Sequence, residues 1–171
     1  SEVMAILCLS KSIQDLKERL GNITIGRNKD KRFVKAKELA AEGAMAALLK
    51  HALNPNIVQT TDGSPAIIHG GPFANIAHGT NSIVATNTSL NFGEYALVES
   101  GFAADLGGEK FLDFVTKVGD FWPDTVVLVA SVRALKLHGG ASKKELDQED
   151  LPAVQKGIEN LKVHLTNLRK F

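Results

Sequence analysis

Residues 125–133 read TVVLVASVR, and the apolar part of this run, residues 125–130, decides the fold. A continuous apolar run of this length predicts a strand that is buried on both faces, as in a parallel sheet covered by helices. Shorter strand candidates lie at residues 23–25, 57–59, 66–69 and 95–99. Predicted helices at residues 1–20, 35–53, 74–90, 106–118 and 150–170 alternate with them. This order predicts an α/β fold with a mostly parallel sheet and helices on both faces.

Length and composition restrict the class of protein. The chain has 171 residues, with 20 Lys and Arg against 19 Asp and Glu, so its formal net charge is +1. This balance argues against a nucleic-acid partner, and no apolar run reaches the roughly 18 residues of a membrane span. A single cysteine excludes an internal disulfide and favours a cytoplasmic setting. The length predicts one α/β region over residues 1–171, with a possible linker at residues 139–150.

The first of three candidate binding loops follows the strand predicted at residues 66–69. Gly70 and Gly71 let the backbone approach a ligand closely, and Pro72 suits the first turn of a helix, where free N–H groups attract anions. His69 at the strand end and His78 within the predicted helix complete this possible anion site. The alternative is a tight structural turn with a hydrogen-bonded histidine.

The second loop follows the strand candidate at residues 95–99. Phe102 falls on a loop, where an aromatic ring has little core to join unless it covers a flat ligand. Asp105 either caps the following helix or orients a ligand group, and capping is the more common role.

The third loop follows the apolar run. Arg133 and Lys136 share one helical face and suit a phosphate or carboxylate ligand. The alternative is a structural ion pair with one of the acidic residues Glu99, Asp105 and Glu109.

Several chemistries have no motif in this sequence. It contains no G-x-x-x-x-G-K-[ST] phosphate loop, no G-x-G-x-x-G fingerprint and no G-x-S-x-G elbow. One cysteine and five scattered histidines give no zinc spacing, so no metal site is predicted. Cys8 lies in an apolar helix and is expected to pack rather than react.

The same three loops resemble one enzyme family. Residues 65–79, PAIIHGGPFANIAHG, residues 101–111, GFAADLGGEKF, and residues 129–140, VASVRALKLHGG, are similar to segments of formate–tetrahydrofolate ligases. The opening residues 1–9, SEVMAILCL, resemble the same family. The likeness runs in order through nearly the whole chain.

The resemblance implies that the intact protein couples ATP, formate and tetrahydrofolate to make 10-formyltetrahydrofolate through formyl phosphate. It implies ATP with Mg²⁺ and tetrahydrofolate as substrates and a homo-oligomer for the intact enzyme. Family members are much longer and carry a phosphate loop and the main formate-activating residues upstream of the matched part. The abrupt ends of the chain agree with an internal fragment of a larger P-loop-type ligase. We therefore expect the fragment alone to be inactive and to hold no bound cofactor.

The resemblance also assigns candidate substrate-binding residues. In the family the second loop lies beside the folate and formyl-phosphate site, with its Phe against the pterin. Carried over, Phe102 stacks on the pterin, and Ala103, Ala104, Asp105 and Leu106 line the site.

Two positions in the matched segments depart from the family pattern. Ala103 replaces the usual Gly, which would strain the loop if that position needs a positive φ. Thr80 replaces a common Cys.

The sequence is also compatible with two other classes of function. The chain could be a non-catalytic module that binds folate or an anion, or a self-contained small enzyme. The missing phosphate loop counts against the second of these.

Overall fold

The computed structural model describes residues 1–171 and combines helices with two short hairpins. The α-helices are α1 Glu2–Leu9, α2 Ile13–Gly21, α3 Glu42–Leu49, α4 Ile83–Ser89, α5 Thr116–Gly119, α6 Val132–His138 and α7 Leu151–Leu168. The strands are β1 Thr24–Arg27, β2 Phe33–Lys35, β3 Asn56–Gln59 and β4 Pro65–Ile68. A 3₁₀ turn covers Ala36–Leu39, and wide π-helical turns cover Ala103–Gly108 and Phe111–Val115. None of these helices combines the length and apolar character that crossing a membrane requires.

The chain forms two compact units. The first unit comprises Ser1–Phe102 and Leu106–Phe121, and the second comprises Ala103–Asp105 and Trp122–Phe171.

Three helices build the core of the first unit. Leu7 of α1, Leu16 and Leu20 of α2, and Ala46 of α3 are buried against one another. The single helix predicted over residues 1–20 is wrong, because the chain leaves the helical conformation at Ser10. The Ser12 side chain then accepts a hydrogen bond from the Asp15 N–H and begins α2, as an N-cap serine does.

Both sheets are two-stranded and antiparallel. β1 pairs with β2, and β3 pairs with β4 in an unbroken register from Asn56–Ile68 to Gln59–Pro65. The β3–β4 turn uses Gly63 at a φ of +92°, a left-handed conformation that glycine adopts without strain. β3 and β4 match the strand candidates at residues 57–59 and 66–69, and both hairpins pair strands that are neighbours along the chain.

The predicted parallel sheet is not present, although the α/β class is confirmed. The strand candidates at residues 95–99 and 125–130 form no strand in the structure. Leu97 is 94% exposed and Val129 is 87% exposed. A strand exists only with a hydrogen-bonded neighbour, and no other segment of the chain pairs with either run.

The second unit is dominated by the contact between α6 and α7. Asp150 caps α7 by accepting a hydrogen bond from the Ala153 N–H at 2.9 Å, and Pro152 lies in the first turn of α7. Residues 139–150 connect the two helices. A methyl group on Gly139 would overlap the Ala153 backbone, and one on Gly157 would overlap the Leu135 carbonyl oxygen. The helices therefore approach each other backbone to backbone.

Candidate functional site

A cavity of about 490 Å³ lies within the first unit, where the end of β4 meets two loops. Its lining residues are Ile67–Ala74, Gly79–Asn81 and Leu97–Phe102. The cavity thus includes the first candidate loop and the second loop up to Phe102, but residues 103–106 do not line it. The third loop belongs to the second unit.

His69 joins three elements of the first unit. Its Nε2 lies 2.7 Å from the Ala52 carbonyl oxygen, and its Nδ1 lies 2.5 Å from the Ser82 hydroxyl. The Ala52 carbonyl can only accept, so Nε2 carries the ring proton and Nδ1 accepts from the Ser82 hydroxyl, whose oxygen also accepts from the Ala85 N–H and caps α4. Both ring nitrogens are engaged within the protein, which leaves neither free for a ligand.

Gly70 and Gly71 form a loop, but the helix predicted to follow it from residue 74 is not present there. Their φ values are +66° and +123°, outside the helical region, and α4 begins only at Ile83. A side chain on Gly70 would overlap the sulfur of Cys8, which is fully buried beneath the loop. Burial raises the pKa of the Cys8 thiol, and the Gly71 N–H beside it opposes that shift.

A short turn replaces the predicted helix after Pro72. The Ala77 N–H donates to the Phe73 carbonyl at 2.8 Å, and the chain then leaves the turn through Gly79 at a φ of +72°. Thr80, at the position of the family's cysteine, is buried and donates its hydroxyl proton to the Glu99 carbonyl at 2.6 Å. This bond ties the two cavity loops together.

Lys110, in the helical segment that follows Phe102, contacts the same turn. Its ammonium donates to the carbonyl oxygens of Ala74 and Ala77, the second at 2.9 Å. The role of Lys110 could not be predicted from residue spacing, because its two bonds join residues 36 and 33 positions apart in the sequence.

His78 is buried beside Lys110, with no hydrogen-bond partner on either ring nitrogen. Burial lowers the pKa of His78 below its ordinary value, and the Lys110 ammonium lowers it further. The Asn81 backbone opposes the shift without reaching hydrogen-bond geometry. The ring is therefore neutral near pH 7.

We expect His78 to make the chain less stable in acid. Below about pH 6.5 the unfolded chain protonates this ring and the folded chain resists, so the free energy of unfolding falls as the pH falls. His78→Gln removes this contribution. Urea midpoints at about pH 7.5 and about pH 5.5 should therefore differ less in the variant than in the parent chain. An equal change in both proteins would contradict this account of the ring.

The Phe102 loop borders the cavity with an exposed ring. Phe102 is 61% exposed, and Phe73, which also lines the cavity, is 68% exposed. The Gly107 N–H donates to the Phe102 carbonyl at 3.2 Å and begins the wide helical turn. Among the other candidates, Ala103 and Asp105 are exposed, and Ala104 and Leu106 are half-buried.

Ala103 adopts a φ of +64°, in the left-handed region. Such a conformation costs an L-residue roughly 1–2 kcal/mol. We therefore expect Ala103→Gly to raise the free energy of unfolding by about 1 kcal/mol in urea denaturation. The control is Ala104→Gly, whose backbone is not left-handed, and which we expect to lower stability by about 0.5–1 kcal/mol. Equal losses in the two variants would show that the turn is not strained.

Arg133 and Lys136 have partners within the second unit. Arg133 pairs with the Asp147 carboxylate, a partner outside the three acidic residues considered from sequence. Buried Lys136 donates to the carbonyls of Leu146 and Gln148, the first at 2.9 Å. These bonds hold residues 146–148 of the α6–α7 connecting segment against α6.

No group of three or more His, Cys, Asp or Glu side chains in the chain is arranged to hold a metal ion.

Comparison with known sequences identifies the family. The sequence model of formate–tetrahydrofolate ligase matches residues 1–171. The chain is 63% identical to the formate–tetrahydrofolate ligase of Kosmotoga olearia and 60% identical to that of Thermotoga petrophila, each over the whole chain. It is 58% identical to the Methylibium petroleiphilum ligase over 99% of the chain. It covers 31%, 32% and 30% of these relatives, so the chain spans about a third of their length. The chain belongs to the formate–tetrahydrofolate ligase family.

Proposed function

We propose that this chain is part of an ATP-dependent ligase that joins formate to tetrahydrofolate and releases 10-formyltetrahydrofolate. The family match over all 171 residues supports this proposal. The reaction implied by the family has two steps. Formate oxygen attacks the γ-phosphorus of ATP to give formyl phosphate and ADP. The N10 amine of tetrahydrofolate then attacks the formyl carbon, phosphate leaves, and the amine loses a proton.

The observation that carries the role of this segment is the exposed Phe102 ring at the cavity. A large aromatic side chain left 61% exposed beside a concave surface gains contact area when a flat ligand covers it. We assign Phe102 to the pterin ring of tetrahydrofolate, and by the family resemblance we assign Ala103, Ala104, Asp105 and Leu106 to the same substrate. His69, Gly70 and Gly71 shape the wall of this cavity.

The remaining chemistry lies outside this segment in our proposal. No phosphate loop occurs in the chain, so ATP with Mg²⁺ and the main formate-activating groups belong to other residues of the intact ligase. The isolated chain is accordingly inactive, and formation of 10-formyltetrahydrofolate above a blank by the pure chain would contradict this. We propose further that residues 1–171 form one region of a homo-oligomeric cytoplasmic enzyme, with residues 139–150 as a linker.

The test of the folate contact is Phe102→Ala in the full-length ligase that carries these residues. An offset aromatic stack contributes roughly 0.5–1.5 kcal/mol beyond area burial, so the KM for tetrahydrofolate should rise about two- to twelve-fold. The KM for ATP should change less. Because the ring is exposed, the melting temperature should stay close to that of the parent enzyme.

The matched control is Phe92→Ala. Phe92 is 59% exposed but does not line the cavity, so its loss should leave all three substrate constants unchanged. An unchanged KM for tetrahydrofolate in Phe102→Ala would refute the pterin contact. A rise confined to the KM for ATP or formate would move the assignment to that substrate.

A further inference from the structure

We propose that Lys110 is a positioning residue that fixes the position of Phe73 relative to Phe102, the two aromatic residues that line the cavity. This inference rests on the proposed function, because it assigns the cavity to a substrate of the ligase. Lys110 does not line the cavity and therefore acts through the turn that carries Phe73.

The first observation is where the Lys110 ammonium lies. It donates to the carbonyls of Ala74 and Ala77, so a single side chain holds both ends of the turn that follows Phe73. Two of its three N–H groups are used in this way. The lysine belongs to the helical segment that follows Phe102, so it joins the segment after the second cavity loop to the turn of the first loop.

The second observation is how closely the same segments pack. Ala74 is 1% exposed, and its Cβ lies 2.5 Å from the position that a Cβ would take on either Gly79 or Gly101. A Cβ on Gly107 would overlap the Gly101 carbonyl oxygen. The turn and the loop before Phe102 are therefore in backbone contact, and a shift of the turn transmits directly to Gly101 and Phe102.

The third observation is that the surroundings of Lys110 offer no alternative partner. His78 beside it is neutral and makes no hydrogen bond of its own. Lys110 takes part in no ion pair with an acidic residue. Its charge is satisfied by the turn carbonyls, and charge-assisted bonds of this kind are stronger than neutral ones.

The experiment compares Lys110→Met with Lys110→Arg in the full-length ligase, with Phe102→Ala measured in parallel. Methionine keeps the length of the side chain and removes its donors. We expect Lys110→Met to raise the KM of the substrate that Phe102→Ala affects by about ten-fold, with a smaller change in kcat. Lys110→Arg should recover part of the loss, since it keeps the charge and the donors.

The matched control is Lys117→Met in the same helical region. Lys117 is largely exposed and its Nζ lies 3.8 Å from an Asp113 oxygen, so its loss should leave the kinetic constants unchanged. Hydrogen exchange supplies a direct readout: the Ala77 amide should lose protection in Lys110→Met and keep it in Lys117→Met.

The outcomes separate this inference from the proposed function. If Phe102→Ala changes no substrate constant, the folate assignment fails, and a KM effect of Lys110→Met on any substrate still supports positioning. If Phe102→Ala raises a KM and Lys110→Met lowers only the melting temperature, Lys110 is a stabilising residue and the inference is overturned. Failure of Lys110→Arg to recover any activity lost in the methionine variant would also overturn it.

Discussion

Gly157→Ala should destabilise the second unit by at least about 2 kcal/mol, although alanine is the better helix former. Gly157 lies inside α7, where the change favours the helix by about 1 kcal/mol. The added methyl group, however, would overlap the Leu135 carbonyl oxygen of α6, and a backbone atom cannot move aside as a flexible side chain can. The cost of this overlap exceeds the gain in helix propensity, so α6 and α7 must move apart.

Urea denaturation followed by the fluorescence of Trp122 measures this effect, since Trp122 is the only tryptophan and lies in the same unit. The control is Gly43→Ala in α3, which belongs to the first unit, so its urea denaturation is followed by far-ultraviolet circular dichroism. The nearest atom to the added methyl group there is the Lys17 Cε at 3.9 Å, so the only expected effect is the higher helix propensity of alanine. We expect a gain of about 0.5–1 kcal/mol. A similar gain in Gly157→Ala would contradict the backbone contact between α6 and α7.

Gly101→Ala should lower the free energy of unfolding of the first unit by about 2–3 kcal/mol. If the cavity holds tetrahydrofolate as we propose, the KM for tetrahydrofolate in the full-length ligase should rise as well. The new Cβ would lie 2.5 Å from the Ala74 Cβ and 2.8 Å from the Gly79 carbonyl oxygen. The first atom belongs to the turn that Lys110 anchors, and the second lies where the chain leaves that turn. The loop before Phe102 must therefore shift, and the cavity with it.

A double-mutant cycle tests the stated cause. Ala74→Gly removes one of the two close atoms, so the double variant should recover about 1 kcal/mol relative to the sum of the single changes. Gly26→Ala in β1 is the control, because nothing lies within 4 Å of its new methyl group, and it should change stability by less than about 0.5 kcal/mol. Simple additivity of Gly101→Ala and Ala74→Gly would show that the two positions are not in contact.

Features with local causes could be predicted from this sequence. The β3–β4 hairpin follows from Asp62-Gly63, which supplies the turn, and α7 follows from Asp150 as its cap. Pairing within a hairpin needs only neighbours along the chain. The exposure of Phe102 likewise agrees with its place on a loop between two glycine-containing stretches.

Features with distant causes could not be predicted. An apolar run such as residues 125–130 indicates a strand, but its neighbours decide whether a sheet forms, and none pairs with it in this chain. The helix expected after Pro72 is interrupted by Gly79 in a left-handed conformation and by a turn bonded to Lys110. Spacing also could not reveal that Lys136 points to backbone carbonyls of its own connection.

The buried Cys8 thiol provides a natural labelling probe for opening of the first unit. It is the only cysteine of the chain, it is fully buried beneath the Gly70–Gly71 loop, and burial raises the pKa of its thiol. Thiol reagents attack the thiolate, so the closed structure protects this sulfur both by exclusion and by chemistry. The rate at which a reagent labels Cys8 therefore reports how often the cavity wall lifts away from α1, without any engineered probe.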